Sequence, residues 1–146
     1  MTITPFAAWH YIAIASAVYA WAGVEHQPDP ATLAIRFEMD GPAFTAWQAQ
    51  TLVGCAGVMI PWSGLGYAWA VVTDAARQSP RAIHRATREH LDQIIREHGL
   101  RRVEASVQAD VPRNVKWARA LGFDVESEMK GWGPKGETFL KMVRFA

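Results

Sequence analysis

From Tyr67 to Thr73 the chain is a nearly continuous apolar run, and through Asp74-Ala75-Ala76-Arg77-Gln78 it passes into Ser79-Pro80, a helix start. Free backbone N–H groups and positive partial charge gather at such a start, which suits a diphosphate, and Arg77 and Arg81 add formal charge beside it. A solvated arginine face around an ordinary cap explains the same residues, because Pro80 withholds one donor and no glycine-rich loop is present. A carboxylate and a hydroxyl, Glu104 and Ser106, stand on the opposite side of an alternating segment from Val103, Ala105 and Val107.

Other reactive side chains are less well placed. Cys55 lies in an apolar stretch with no base or cation near it in sequence, so inert burial is expected. His84, His90 and His98 share one helix, but none of them is four residues from another, so no two ligands stack on adjacent turns and no metal site is assigned. Trp69 and Trp117 are wall or core residues.

The elements that must carry these groups follow from caps and periodicity. Met1 to Phe6 is a first, edge strand, and Asp29-Pro30 starts a short helix that Gly41-Pro42 stops. Ala43–Gln50 and Leu52–Ile60 read as two strands, and Tyr67–Thr73 as a third, buried on both faces. Ser79–His98 is a helix with Ser79 as its N-cap candidate, Pro80 at the first helical position and Gly99 as left-handed C-cap; Ile83, Ala86, Leu91, Ile94 and Ile95 form its apolar stripe. Arg102–Val107 is a strand, and a helix from Pro112 closes at Gly122. Asp124–Met129 and Thr138–Phe145 are the last strands. The order after the first helices is β-β-β-α-β-α-β-β, a mixed sheet with helices against it.

At 146 residues the chain fits one domain, residues 1–146, and a net charge of +1 with 20% charged residues gives no general argument for nucleic acid or an acidic membrane. The single cysteine excludes an internal disulfide framework and favours the cytoplasm. Phe6 to Val24 has no charged side chain, yet Ala is abundant, Ser16 and Tyr19 interrupt it, and no Lys or Arg precedes it, so a buried helix is expected rather than a membrane span.

The spacing of Val72 and Arg77-Gln78-Ser79-Pro80-Arg81-Ala82 resembles the coenzyme A motif of the GNAT superfamily of N-acetyltransferases, a strand ending in Val followed five residues on by [Q/R]-x-x-G-x-[G/A]. Leu121-Gly122-Phe123 is similar to the Leu-Gly-Phe signature of the same superfamily. Trp117 to Phe123, with Glu126 and Gly133-Pro134-Lys135-Gly136, resembles small GNAT-like proteins of tailed phages and prophages. Gly41 to Thr45 and Cys55-Ala56-Gly57 belong to the same pattern.

The resemblance implies an α+β GNAT-like fold, a mostly antiparallel sheet flanked by helices, and transfer of an acyl group from acetyl-CoA (coenzyme A as carrier) to a small-molecule or protein amine. Backbone groups of Val71 and Val72 would pair with pantetheine, Arg77, Gln78, Ser79, Pro80, Arg81 and Ala82 would take the phosphates, and a backbone N–H near Val72 would face the oxyanion. Glu104 would serve as base, directly or through water, and Ser106 as donor to the thiolate; Trp117 would wall the slot. The chain departs from the pattern in three places. Pro80 stands at the motif's glycine, Ala118 where many members carry a tyrosine acid, and Val111 where an asparagine often contacts the cofactor, with Asn114 three residues on. Those departures keep open a second reading, a GNAT fold without chemistry that serves as a virion-associated or binding protein. A homodimer is compatible with either.

Overall fold

The computed structural model describes residues 1–15 and 29–146, and the backbone of residues 19–21 between them. Among the described residues eight strands form one sheet: β1 (Thr2–Pro5), β2 (Tyr19–Trp21), β3 (Ala43–Gln48), β4 (Thr51–Trp62), β5 (Leu65–Val72), β6 (Arg102–Gln108), β7 (Asp124–Met129) and β8 (Phe139–Phe145). Seven run in the order β1-β3-β4-β5-β6-β8-β7, and β2 pairs with β5 off that path. Among the described residues β5 and β6 pair parallel and every other pairing is antiparallel. The helices are α1 (Ala8–Ile14), α2 (Pro30–Met39), α3 (Pro80–Glu97) and α4 (Pro112–Ala120). The strand and helix order from Ala43 onward is the expected one.

The two faces of the sheet are covered by different helices. On one, the apolar stripe of α3 (Leu91, Ile94, Ile95) and the inner residues of α4 (Ala118, with Leu121 after it) close over Val103, Ala105 and Val107 of β6. Both helices stop by the same device. Gly99 (φ 59°) and Gly122 (φ 96°) take the left-handed conformation, and the next amides, Leu100 and Phe123, reach back to the carbonyls of Ile95 and Ala118. On the other face α1 and α2 bury Tyr11, Ile14, Ala34 and Phe37 against Cys55, Trp69 and Val71. The Phe37 ring stacks flat on Trp69 at 3.7 Å.

Several local expectations need correction. The apolar segment from Phe6 is not one helix: α1 ends at Ile14, and Tyr19–Trp21 is extended because it pairs with β5. Trp9 and Ile12 of α1 stay exposed. The remaining stretches, 16–18 and 22–28, lie outside the described residues, and no described helix is long and apolar enough to cross a membrane. β4 runs past the expected strand end at Ile60 through Pro61 and Trp62, so its turn into β5 is Ser63-Gly64. Ser79 does not cap α3 with its side chain; its hydroxyl instead meets Gln48 Oε1 at 3.4 Å. A 3-10 turn over Asp74–Gln78, unanticipated from sequence, carries the chain from β5 to α3.

α1 is pinned to the sheet by a buried polar relay. The Ala7 N–H donates to His10 Nδ1, which fixes that nitrogen as an acceptor, so the Thr45 hydroxyl 2.8 Å away must donate to it as well. With its single proton committed, Thr45 Oγ1 can only accept from the Cys55 thiol at 3.6 Å. Thr45 is fully buried, so these bonds answer polar atoms with no access to water. Burial pushes the Cys55 thiol up to about 11, as expected of an inert cysteine. Burial also lowers the His10 pKa, against a smaller opposing pull from Glu38. A histidine depressed in the folded state stays neutral there while the unfolded chain takes up a proton, so stability present above about pH 6.5 is lost on acidification. The melting temperature should therefore fall between pH 7 and pH 5, and His10→Gln should flatten that part of the profile; thermal denaturation across buffers checks both.

Candidate functional site

The sheet opens in its middle. β5 and β6 pair only at Leu65↔Arg102, Gly66↔Val103 and Tyr67↔Glu104, after which they part. Parallel neighbours joined by a long helical crossover need not stay zipped, and here the 3-10 turn after Val72 draws the end of β5 away. The Thr73 N–H donates to Val53 O on β4. Since polar groups alternate sides along a strand, those of Thr73, Val71 and Trp69 face β4, while those of Val72 and Ala70 face the opening. This corrects one expectation: Val71 has its N–H and C=O turned away from the slot, and Ala70 takes its place beside Val72.

In this structure that edge is paired. β2 lies antiparallel along it, with Tyr19 opposite Val72, Ala20 opposite Val71 and Trp21 opposite Ala70. Because β4 holds the other edge of β5 throughout, β2 sits on the side where β5 leaves β6. β5–β6 pairing does not run the length of the gap; a three-residue strand of the same chain lies along its β5 edge.

A cavity of about 260 Å³ lies on the α3/α4 face of the opening. Val72, Arg77, Pro80, Asn114 and Trp117 line it together, joined by Thr73, His84 and Arg113. Two helix starts meet there, since α3 and α4 begin at Pro80 and Pro112. Each proline removes one N–H that a first turn would offer, and the Ile83 N–H is used by Ser79 O, so the first-turn donors of α3 are those of Arg81 and Ala82. Arg77 also meets Asp74 at 3.4 Å, an exposed pair that binds it weakly. Gln78, Ser79, Arg81 and Ala82 flank this cavity in sequence without lining it. His84 was weighed beforehand only as a metal ligand, and Arg113, one residue after the helix-opening Pro112, was not singled out.

A second cavity, of about 300 Å³, lies on the α1/α2 face. Glu104 and Ser106 both border it, with Tyr67, Trp69, Phe37, Trp132 and Lys141. Glu104 is held from two sides, by Arg102 Nη2 at 3.0 Å and Lys141 Nζ at 3.7 Å. Arg102 in turn forks onto both oxygens of Glu126, at 2.7 and 2.6 Å. That hydrogen bond holds the Glu126 carboxyl below its usual range. Arg102 could have been found by alternation, two residues before Glu104; Lys141 could not, because it arrives through the β6–β8 register. Among the described residues no group of His, Cys, Asp or Glu side chains could hold a metal ion.

A family model for the acetyltransferase (GNAT) family matches residues 8–123. This chain belongs to the GNAT family. Its members use acetyl-CoA, and the fold here is theirs. The ribosomal-protein-S18-alanine N-acetyltransferase of Escherichia coli superposes with a TM-score of 0.77 at 17% identity, covering 99% of this chain and 92% of that one. yncA from Salmonella typhimurium, in a structure holding its cofactor acetyl-CoA, gives 0.76 at 16%, covering 99% and 93%. A spermidine N-acetyltransferase SpeG variant from Vibrio cholerae gives 0.75 at 11%, covering 99% and 95%. No curated protein sequence matches the chain.

The chain's own residues fit acetyl-CoA: a basic cavity at two helix starts for the phosphates, and a strand edge whose groups at Ala70 and Val72 face the gap. Ala118, where many GNAT proteins carry a tyrosine, is fully buried among Val107, Leu121 and Phe123, so a phenol there would break the core. Pro80 borders the phosphate-side cavity at the motif's glycine position. Pro80→Gly returns one amide donor to the first turn of α3, and titration calorimetry should show acetyl-CoA binding tightened by roughly tenfold, the worth of one hydrogen bond to a charged group.

Proposed function

We propose that this protein transfers the acetyl group of acetyl-CoA to a primary amine by direct attack in a ternary complex. The observation that carries the reading is the parting of β5 from β6 after Tyr67↔Glu104, with a basic cavity on one face and a carboxylate-bearing cavity on the other. Acetyl-CoA supplies an activated thioester. Arg77 with the first-turn amides of α3 takes its phosphates, assisted by Arg113 and Asn114, while Trp117 walls the slot. Backbone groups of Ala70 and Val72 orient its extended arm, which puts the Val72 N–H beside the carbonyl oxygen.

Glu104 is the base. An amine attacks only after losing a proton, and the Glu104 carboxylate, paired with Arg102 and Lys141, accepts it, directly or through one water. As the N–C bond forms the C–S bond breaks, and the sulfur leaves as a thiolate with Ser106 as the nearest hydroxyl on the same strand face. Use of the β5 edge in this way requires β2 to yield it, because one strand edge cannot serve two partners.

Acetyl-CoA should raise the melting temperature by mass action, and Arg77→Ala with Arg81→Ala should weaken its affinity on the order of tenfold. No shift at millimolar ligand would remove the reading. Glu104→Gln should lower kcat/KM by about a hundredfold and abolish the rising limb of the pH–rate profile while leaving the acetyl-CoA Kd unchanged. On saturation with acetyl-CoA, amide exchange should quicken at Tyr19–Trp21 and stay slow at Ala70 and Val72; protection gained on both strands would show that the arm binds elsewhere.

A further inference from the structure

Resting on that transfer reading, we infer that Lys141 is itself an acceptor: the protein acetylates its own Lys141 Nζ from acetyl-CoA. The chain has four lysines, and three of them, Lys116, Lys130 and Lys135, are exposed and border neither cavity. Lys141 is the exception. It borders the cavity that holds Glu104 and Ser106, with its Nζ 3.7 Å from Glu104 Oε1. An amine beside the base is already where an incoming acceptor has to be brought.

The sheet puts it there. Lys141 lies directly opposite Ser106 in the β6–β8 ladder, and side chains opposite one another share a face. Ser106 is two residues past Glu104, the last position at which β6 pairs with β5, so Lys141 is level with the part of β6 that has left β5. A lysine stem is long and flexible, which lets Nζ move from the carboxylate toward the opening. Its present partner holds it loosely, because the Lys141 side chain is 39% exposed and an ion pair of 3.7 Å at that exposure contributes little. Arg102, at 3.0 Å, is the closer partner of Glu104 and remains with it when the lysine leaves.

The step balances with no further reactant. The Lys141 ammonium gives one proton to Glu104, which passes it to water, and the neutral Nζ attacks the thioester carbonyl carbon. As the N–C bond forms the C–S bond breaks, a second proton goes from nitrogen to the departing thiolate, and CoA leaves as the thiol. The product is a neutral amide on Lys141, so Glu104 loses one of its two cations, and the space of about 300 Å³ has room for the added acetyl group.

The test is peptide-resolved mass spectrometry on the full chain incubated with acetyl-CoA, following the acetyl group added at each lysine, with calorimetry on the same preparation to measure acetyl-CoA binding. Lys141 should be modified roughly tenfold faster than Lys116, Lys130 or Lys135 although those are the more exposed, at a rate independent of protein concentration. Glu104→Gln should slow Lys141 about a hundredfold and leave the other three unchanged. Lys141→Arg should leave only the slow, even labelling of the rest. Equal labelling of all four lysines, a Lys141 rate that rises with protein concentration, or labelling of Lys141 in Glu104→Gln as fast as in the wild type overturns the inference. So does an unmodified Lys141 in protein that binds acetyl-CoA, which leaves the transfer reading standing; absence of acetyl-CoA binding removes both together.

Discussion

Backbone hydrogen bonding across the centre of the sheet governs everything else in this molecule. A strand between two neighbours has each amide and carbonyl answered, but β5 loses its β6 partner after Tyr67, and the groups of Ala70 and Val72 turn toward the gap. Groups in that position need a partner, because burying them unpaired costs about as much as a lost hydrogen bond. An extended chain with alternating donors and acceptors is the natural partner. β2 supplies one here, and under the proposed function the amide-bearing arm of a coenzyme would supply another. The same vacancy in the ladder thus explains both why an internal segment lies against β5 and why the fold suits an elongated cofactor.

The parting also divides labour between the two faces. Val72 and Trp117 look onto the α3/α4 side, where two helix starts and arginines favour an anion. Tyr67, Trp69, Glu104 and Ser106 look onto the α1/α2 side, where aromatic walls and one clamped carboxylate favour an amine. The alternation of β6 enforces this: Val103, Ala105 and Val107 are buried under α3 and α4, so Arg102, Glu104 and Ser106 take the other face, where Glu104 and Ser106 border the second cavity. Under the proposed function, a reacting pair would thereby meet from opposite sides of a single layer of backbone.

How much of this was legible in the residues depends on the range of the interaction concerned. The ends of α3 and α4 were readable because Pro80, Pro112, Gly99 and Gly122 act through their own backbone. The face of Glu104 was readable from alternation, and Val72, Arg77 and Pro80, whose spacing resembles the family motif, line one cavity together, whereas Asn114 lies there in spite of departing from that spacing. Lys141, Trp132 and Phe37 were not readable as site residues, since each reaches its cavity only through long-range pairing or helix packing. Segment 6–24 misled for a related reason. Apolar content alone does not tell a helix from a strand, and what makes Tyr19–Trp21 extended is an open edge some fifty residues later in sequence.

The absence of a tyrosine at Ala118 bears differently on the two protons of the reaction. A thiol has a pKa near 8.5, so a CoA sulfur can leave as thiolate close to neutral pH without a donated proton. An alkylammonium, with a pKa near 10.4, is almost wholly protonated at that pH and cannot attack until a base takes its proton. Loss of the acid is therefore the smaller handicap, and loss of the base the larger one. In this chain a buried methyl group fills the acid's position, and Glu104 keeps its pairs with Arg102 and Lys141. Under the proposed mechanism the proton that must be removed is the one Glu104 would take.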